Sequence, residues 1–144
     1  MALNLTLYSW QCSSAKKELA VAQTQNVDFL IEQGKLFWEQ RSDSIAIMKA
    51  DHFLSLANEY RPRDFGPSVL YSRVLYFRAM FLEKDPAVKD SLFARGANAA
   101  KQSVMTHMEF QSIYKTAQGD SSFRVLAALA NAPRVLVPGL VWWA

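Results

Sequence analysis

The apolar positions of this chain recur at the spacing of helices, not strands. Between Val27 and Arg41, Leu30, Phe37 and Trp38 fall on one stripe with Gly34 beside it, the three- and four-residue rhythm of a helix face. Ser42 and Asp43 are short polar side chains suited to capping, so a second helix is expected to begin there. It runs to about Tyr60 and stops at Arg61-Pro62, because the residue before a proline avoids the helical region. After the turn Arg63-Asp64-Phe65-Gly66, Pro67 opens a third helix, Ser68 to Glu83. Val69, Leu70, Val74, Leu75, Phe77, Met80, Phe81 and Leu82 put apolar groups almost all round it, which predicts packing on two sides. Asp85-Pro86 restarts the chain as cap and first-turn proline of a fourth helix, Ala87 to Met105, whose Gly96, Ala97, Ala99 and Ala100 would admit a close neighbour. Met108 to Thr116 reads as a weaker helical connector. Asp120-Ser121 caps a fifth helix through Phe123, Leu126 and Leu129, ended by Pro133, and Pro138 starts a sixth inside which the sequence stops. Runs such as Val135 to Val137 never recur as an alternating series, so the fold class is all-α.

Composition adjusts this picture only slightly. The 144 residues suffice for one domain with a real core, and 51% hydrophobic against 20% charged residues is an ordinary globular balance. The net charge of +3 is spread among acids and not gathered on one face, which argues against nucleic-acid binding. No apolar run reaches the roughly 20 residues that span a bilayer. One cysteine, Cys12, rules out an internal disulfide. It follows a mildly apolar start, Met1 to Trp10, in the manner of a bacterial lipoprotein's acylation site, but no Lys or Arg precedes the apolar part and Trp10-Gln11 stand where small residues belong. Residues 1–26 are therefore either a degenerate lipoprotein signal or a leading helix, with 27–144 as the folded domain.

Hairpins in succession invite a search for a repeat. Gly34 and Phe37, then Ala50, Leu54, Ala57 and Pro62, fit the small, aromatic and proline positions of a tetratricopeptide unit. About four extra residues, around Gln40 to Ser44, lengthen it beyond the standard of about 34. A second unit places Arg73 where glycine is usual, followed by Tyr76, Gly96, Ala100 and Ser103. Small residues belong at these sites because packed helices approach closely there. The expected architecture is an α-solenoid of degenerate tetratricopeptide-like hairpins, a right-handed superhelix truncated at its C-terminal end.

Several strings carry a closer likeness. Gly34-Lys35-Leu36-Phe37-Trp38-Glu39-Gln40-Arg41-Ser42-Asp43, Leu70 to Phe77, Phe93 to Ala100 and the ending Val137-Pro138-Gly139-Leu140-Val141-Trp142-Trp143-Ala144 occur in an order and spacing that resembles the TatT family. These are tetratricopeptide-like proteins associated with tripartite ATP-independent periplasmic (TRAP) transporters. The resemblance implies a periplasmic, often lipid-anchored helical protein, joined to the membrane here through Cys12. Its partner would be the extracytoplasmic substrate-binding protein of a transporter, and it would hold a small organic-acid or apolar ligand. The chain departs from the family in its degenerate lipoprotein signal and in ending within the Trp-rich helix. A truncated array exposes the face that its next repeat should cover, so self-association into a homo-oligomer is expected. The alternative is a cytoplasmic tetratricopeptide-like adaptor that grips peptide or protein in its groove.

The candidate binding residues each have a plainer reading. Trp38 could line a groove with Arg41 meeting an anion, or Trp38 could pack between helices while Arg41 pairs with a carboxylate such as Asp43. Tyr71, Arg73 and Tyr76 could reach into a concave groove, or Tyr76 could simply pack. Arg73 on so apolar a helix must find a partner or face a cavity. Trp142 and Trp143 could wall a pocket or cap the last hairpin. An enzyme is not expected, nor a cofactor or metal: His52 and His107 are isolated, no phosphate loop or nucleophile elbow occurs, and Cys12 has no activating base nearby in sequence.

Overall fold

The structure, a computed structural model, describes residues 26–144, and all regular elements among them are helical. In order they are α1 (residues 26–39), α2 (Ser44–Tyr60), α3 (Phe65–Phe81), α4 (Pro86–Thr106), α5 (Met108–Thr116) and α6 (Ser121–Ala130), then a 3-10 turn (Arg134–Leu136) and α7 (Val137–Trp143). Cys12 lies outside the described residues.

Aspartates start the helices where the sequence places them. The carboxylate of Asp43 accepts the Ile45 N–H at 2.9 Å, that of Asp85 the Ala87 N–H at 2.9 Å, and that of Asp120 the Phe123 N–H at 2.8 Å. Each satisfies a first-turn donor that has no partner within its helix. Helix α3 begins at Phe65, three residues ahead of Ser68, because Asp64 stays extended as the capping residue. Pro67 thus sits in the first turn, where its missing N–H would have had no intrahelical partner. The connector between α4 and α6 is a true helix. His107 ends α4 and caps α5, its Nδ1 accepting the Glu109 N–H at 3.3 Å, and Phe110 anchors α5 with no exposed surface.

Helix α3 packs against α2, α4 and α7. Its Val74, Leu75 and Ala79 are fully enclosed with Ile47, Ala50 and Leu54 of α2, Leu92 and Ala99 of α4, and Trp38 of α1. Two close approaches make this possible. A Cβ on Gly34 would stand 2.5 Å from Leu54 Cγ, so α1 can lie on α2 only without a side chain there. Where α3 crosses α4, the Ser72 hydroxyl lies 2.8 Å from the Gly96 carbonyl and 2.9 Å from the Ser68 carbonyl, sharing its proton between them. Polar links then fix the register. Asp51, buried on α2, receives the Arg78 guanidinium of α3, and the Ser68 hydroxyl donates to Asn58 at 3.0 Å. Arg61 ties the start of α1 to the α2–α3 turn by donating to Asp28 at 2.7 Å, and Asp64 lies 3.5 Å away.

A separate cluster of Val104, Phe110, Ala128 and Leu136 holds the C-terminal helices together. Gly119 takes a φ of +107°, the left-handed region that glycine enters freely, to turn α5 into α6. The guanidinium of Arg124 then stacks 4.3 Å from the Tyr114 ring centre, and its Nε–H donates to the Tyr114 carbonyl at 2.9 Å.

Two glycines test the role of close approach. Gly34→Ala forces a methyl group into Leu54, and overpacking of this kind costs roughly 1–3 kcal/mol. Gly66, by contrast, has open space where its Cβ would go. Gly66→Ala should stabilise by about 0.5 kcal/mol through lost unfolded-state freedom. Urea denaturation of both variants should therefore move the midpoint in opposite directions.

Candidate binding site

Between α3, α4 and α7 lies a cavity of about 470 Å³. Its walls are Ser72 and Tyr76 of α3, Phe93 and Gly96 of α4, and Val141 and Trp142 of α7. The three aromatic rings form a continuous surface. Tyr76 lies 5.6 Å from Phe93 and 5.3 Å from Trp142, centre to centre, inclined at 51° and 62°. On α4, Gly96 and Ala97 border the space with almost no side chain. The buried Ser72 hydroxyl is already engaged with two carbonyls, so the cavity is apolar apart from its rim. Its size and lining are those of a small-molecule pocket.

The sequence candidates divide among four places. Tyr76 and Trp142 meet in this cavity. Trp143, one residue on, turns instead toward the C-terminal cluster, with Lys101 Nζ 5.8 Å from its ring centre. Tyr71 does not share a groove with Tyr76. It is buried on another side of α3, where its hydroxyl accepts from Arg95 Nη2. There it borders a polar cleft of about 350 Å³ lined by Asn58, Glu59, Tyr71, Arg95, Asn98 and Gln102. Arg73 points to a fourth place, its guanidinium 5.3 Å from the Trp38 ring centre. Trp38 is buried and meets Phe77 edge-on at 5.6 Å. Arg41 does not pair with Asp43, whose carboxylate is committed to capping α2. It stacks 5.0 Å from the Trp38 ring centre, donates to the Trp38 carbonyl at 3.3 Å and stands 3.9 Å from Glu39.

The histidines have local roles, His107 as a cap and His52 edge-on to Phe53 at 5.5 Å. No group of three or more His, Cys, Asp or Glu side chains suited to a metal occurs among the described residues. Among them, too, no single helix is long and apolar enough to cross a membrane.

Sequence reasoning missed the Asp51–Arg78 pair and the cavity-lining Ser72, Phe93 and Val141. Asp51 carried a usable signal, since it adjoins Ala50 and Leu54 on the buried face of α2 and an acid there needs a cation. The cavity carried a weaker one in the Gly96-Ala97 step. No protein-family model matches this chain, and neither the curated proteins nor the solved structures match it.

Burial raises the Tyr71 hydroxyl above the ordinary tyrosine value, with Arg95 pulling the other way. The folded state therefore favours the neutral phenol. Its contribution to stability is complete below pH ~10 and is lost as pH climbs through the raised folded value. In a spectrophotometric alkaline titration, the difference between the wild type and Tyr71→Phe should ionise above pH ~10. A difference that titrates at or below that value contradicts the assignment.

Proposed function

We propose that this chain is a non-catalytic binding and scaffolding module of the TatT kind, built as a degenerate tetratricopeptide-like solenoid. As a periplasmic accessory of a TRAP transporter it docks the extracytoplasmic substrate-binding protein and holds a small, largely apolar organic ligand. Acylation of Cys12 would supply its membrane anchor. The observation that carries the reading is the cavity between α3, α4 and α7, because it brings Tyr76 of the second repeat unit against Trp142 of the Pro-x-x-x-Trp-Trp-Ala ending. Three of the strings that resemble the family thus build one pocket. An aromatic box of this polarity suits an acyl or aryl group, with any carboxylate left at the open rim. Self-association belongs to the same reading: Phe123 and Leu126 of α6 and Val141 of α7 are each about 60% exposed or more and offer apolar surface for contact.

The polar cleft favours a second reading, a cytoplasmic tetratricopeptide-like adaptor. Asn58, Asn98 and Gln102 offer both donors and acceptors, which suit the backbone of an extended peptide.

Decanoate and 4-phenylbutyrate are suitable probes, read by tryptophan fluorescence and calorimetry. Binding is expected, and Trp142→Ala and Ala97→Phe should each weaken it by roughly tenfold, about 1.4 kcal/mol. Equal affinity in both variants, or no binding of either probe, contradicts the ligand role. Co-elution with a TRAP substrate-binding protein and palmitate labelling abolished by Cys12→Ala test the transporter role. A cytosolic, unlabelled protein that co-elutes with no such partner supports the adaptor instead.

A further inference from the structure

Arg41 and Arg73 come from different parts of the fold and converge on one indole. Arg41 follows the end of α1 and Arg73 lies midway along α3, yet their guanidinium carbons stand 5.0 and 5.3 Å from the Trp38 ring centre. The two charges are therefore within about one Debye length of each other, ~10 Å at 0.1 M salt, and reinforce one potential. Trp38 is only 7% exposed and is held edge-on by Phe77, so the ring is a fixed floor that presents both cations outward. The local neutralisation is weak. Glu39 approaches Arg41 only to 3.9 Å, with the Glu39 side chain largely in solvent and that of Arg41 about half so. Among the described residues no carboxylate comes within ion-pairing distance of Arg73, whose contact is the Trp38 ring.

An apolar element adjoins these charges. Arg73, Phe77 and Phe81 follow one another at four-residue spacing on α3 and so share a stripe. Phe77 and Phe81 are 4.4 Å apart, centre to centre, and Phe81 is 64% exposed. None of Trp38, Arg41, Phe77 and Phe81 lines either cavity. Small-molecule sites are concave, whereas two exposed arginines beside an exposed phenylalanine, outside either cavity, have the composition of a protein interface.

We propose that Arg41, Arg73 and Phe81, arranged on Trp38 and Phe77, form a docking surface for an acidic segment of a partner protein. Two carboxylates of that segment engage the guanidiniums, and an adjacent apolar side chain covers Phe81. The indole holds the guanidiniums in place beforehand, which lowers the ordering cost of binding. Charge complementarity selects the partner, since a neutral or basic segment would leave two cations unmatched. The proposal stands on this surface alone and holds whether or not the α3–α4–α7 cavity takes a ligand.

The test uses the full chain and a fluorescein-labelled peptide with glutamates on either side of a leucine, beside its lysine counterpart. Anisotropy should show binding of the acidic peptide only, weakening as salt rises. Arg41→Glu and Arg73→Glu should each reduce affinity by roughly tenfold, the size of a hot-spot loss, and the double variant should take up the lysine peptide. Phe81→Ala should weaken binding several-fold. Arg41→Gln and Arg73→Gln, with circular dichroism to confirm the fold, repeat the loss without reversing charge. Equal binding of both peptides, or acidic-peptide affinity indifferent to the arginines, overturns the proposal. So does arginine-dependent binding of citrate or of phosphatidylglycerol vesicles without peptide binding, which would make the surface a small-anion or lipid site.

Discussion

Helix α3 is enclosed by α2, α4 and α7, and the rest of the molecule answers to that enclosure. Val74, Leu75 and Ala79 have no exposed surface, and a helix in that position cannot leave polar groups without partners. Ser68 therefore donates to Asn58, Ser72 to the Gly96 and Ser68 carbonyls, and Arg78 reaches the buried Asp51. Each partner sits on a helix that must approach closely, which is why Gly96 and the alanines of α2 and α4 face α3. Losing one member of a buried ion pair costs about 3–5 kcal/mol, so Asp51 and Arg78 also penalise any slip of α2 along α3. Among the described residues no buried side-chain nitrogen or oxygen lacks a partner. That is the expected state of a core whose central helix packs against three others.

Enclosure also decides where binding can occur. Side chains that leave α3 between its neighbours open into three separate environments. Tyr76 enters the aromatic cavity beside Trp142, Tyr71 the polar cleft beside Arg95, and Arg73 the surface over Trp38. One helix thus serves an apolar, a polar and a cationic site. The apolar site suits a small organic ligand and the cationic one a protein, so both could be occupied together. The proposed role, an accessory that links a ligand to a partner protein, would need that separation.

The helices themselves were legible in the sequence. Asp43, Asp85 and Asp120 act as caps because capping depends on a short polar side chain and the next two or three residues, all of them local. The all-round apolar pattern of α3 announced burial, and Gly34 announced a close crossing. The connector Met108 to Thr116 was harder to read. Its cap is His107, an uncommon capping residue, and its anchor is the single aromatic Phe110.

What the sequence could not determine was which residues meet. Tyr71, Arg73 and Tyr76 are neighbours along α3, yet a turn of 100° per residue sends them to different partners, and those partners belong to α1, α4 and α7. Trp142 and Trp143 look equivalent in sequence but are parted by the same rotation. Asp43 looked like the natural partner of Arg41 until its cap claimed it, and the Trp38 ring took the guanidinium instead. Propensity, capping and burial are short-range or one-dimensional properties, so the sequence by itself determined the elements and the central helix. Convergence is a property of helix packing, and only the tertiary structure decided that Tyr76 faces Trp142 and that two arginines share one indole.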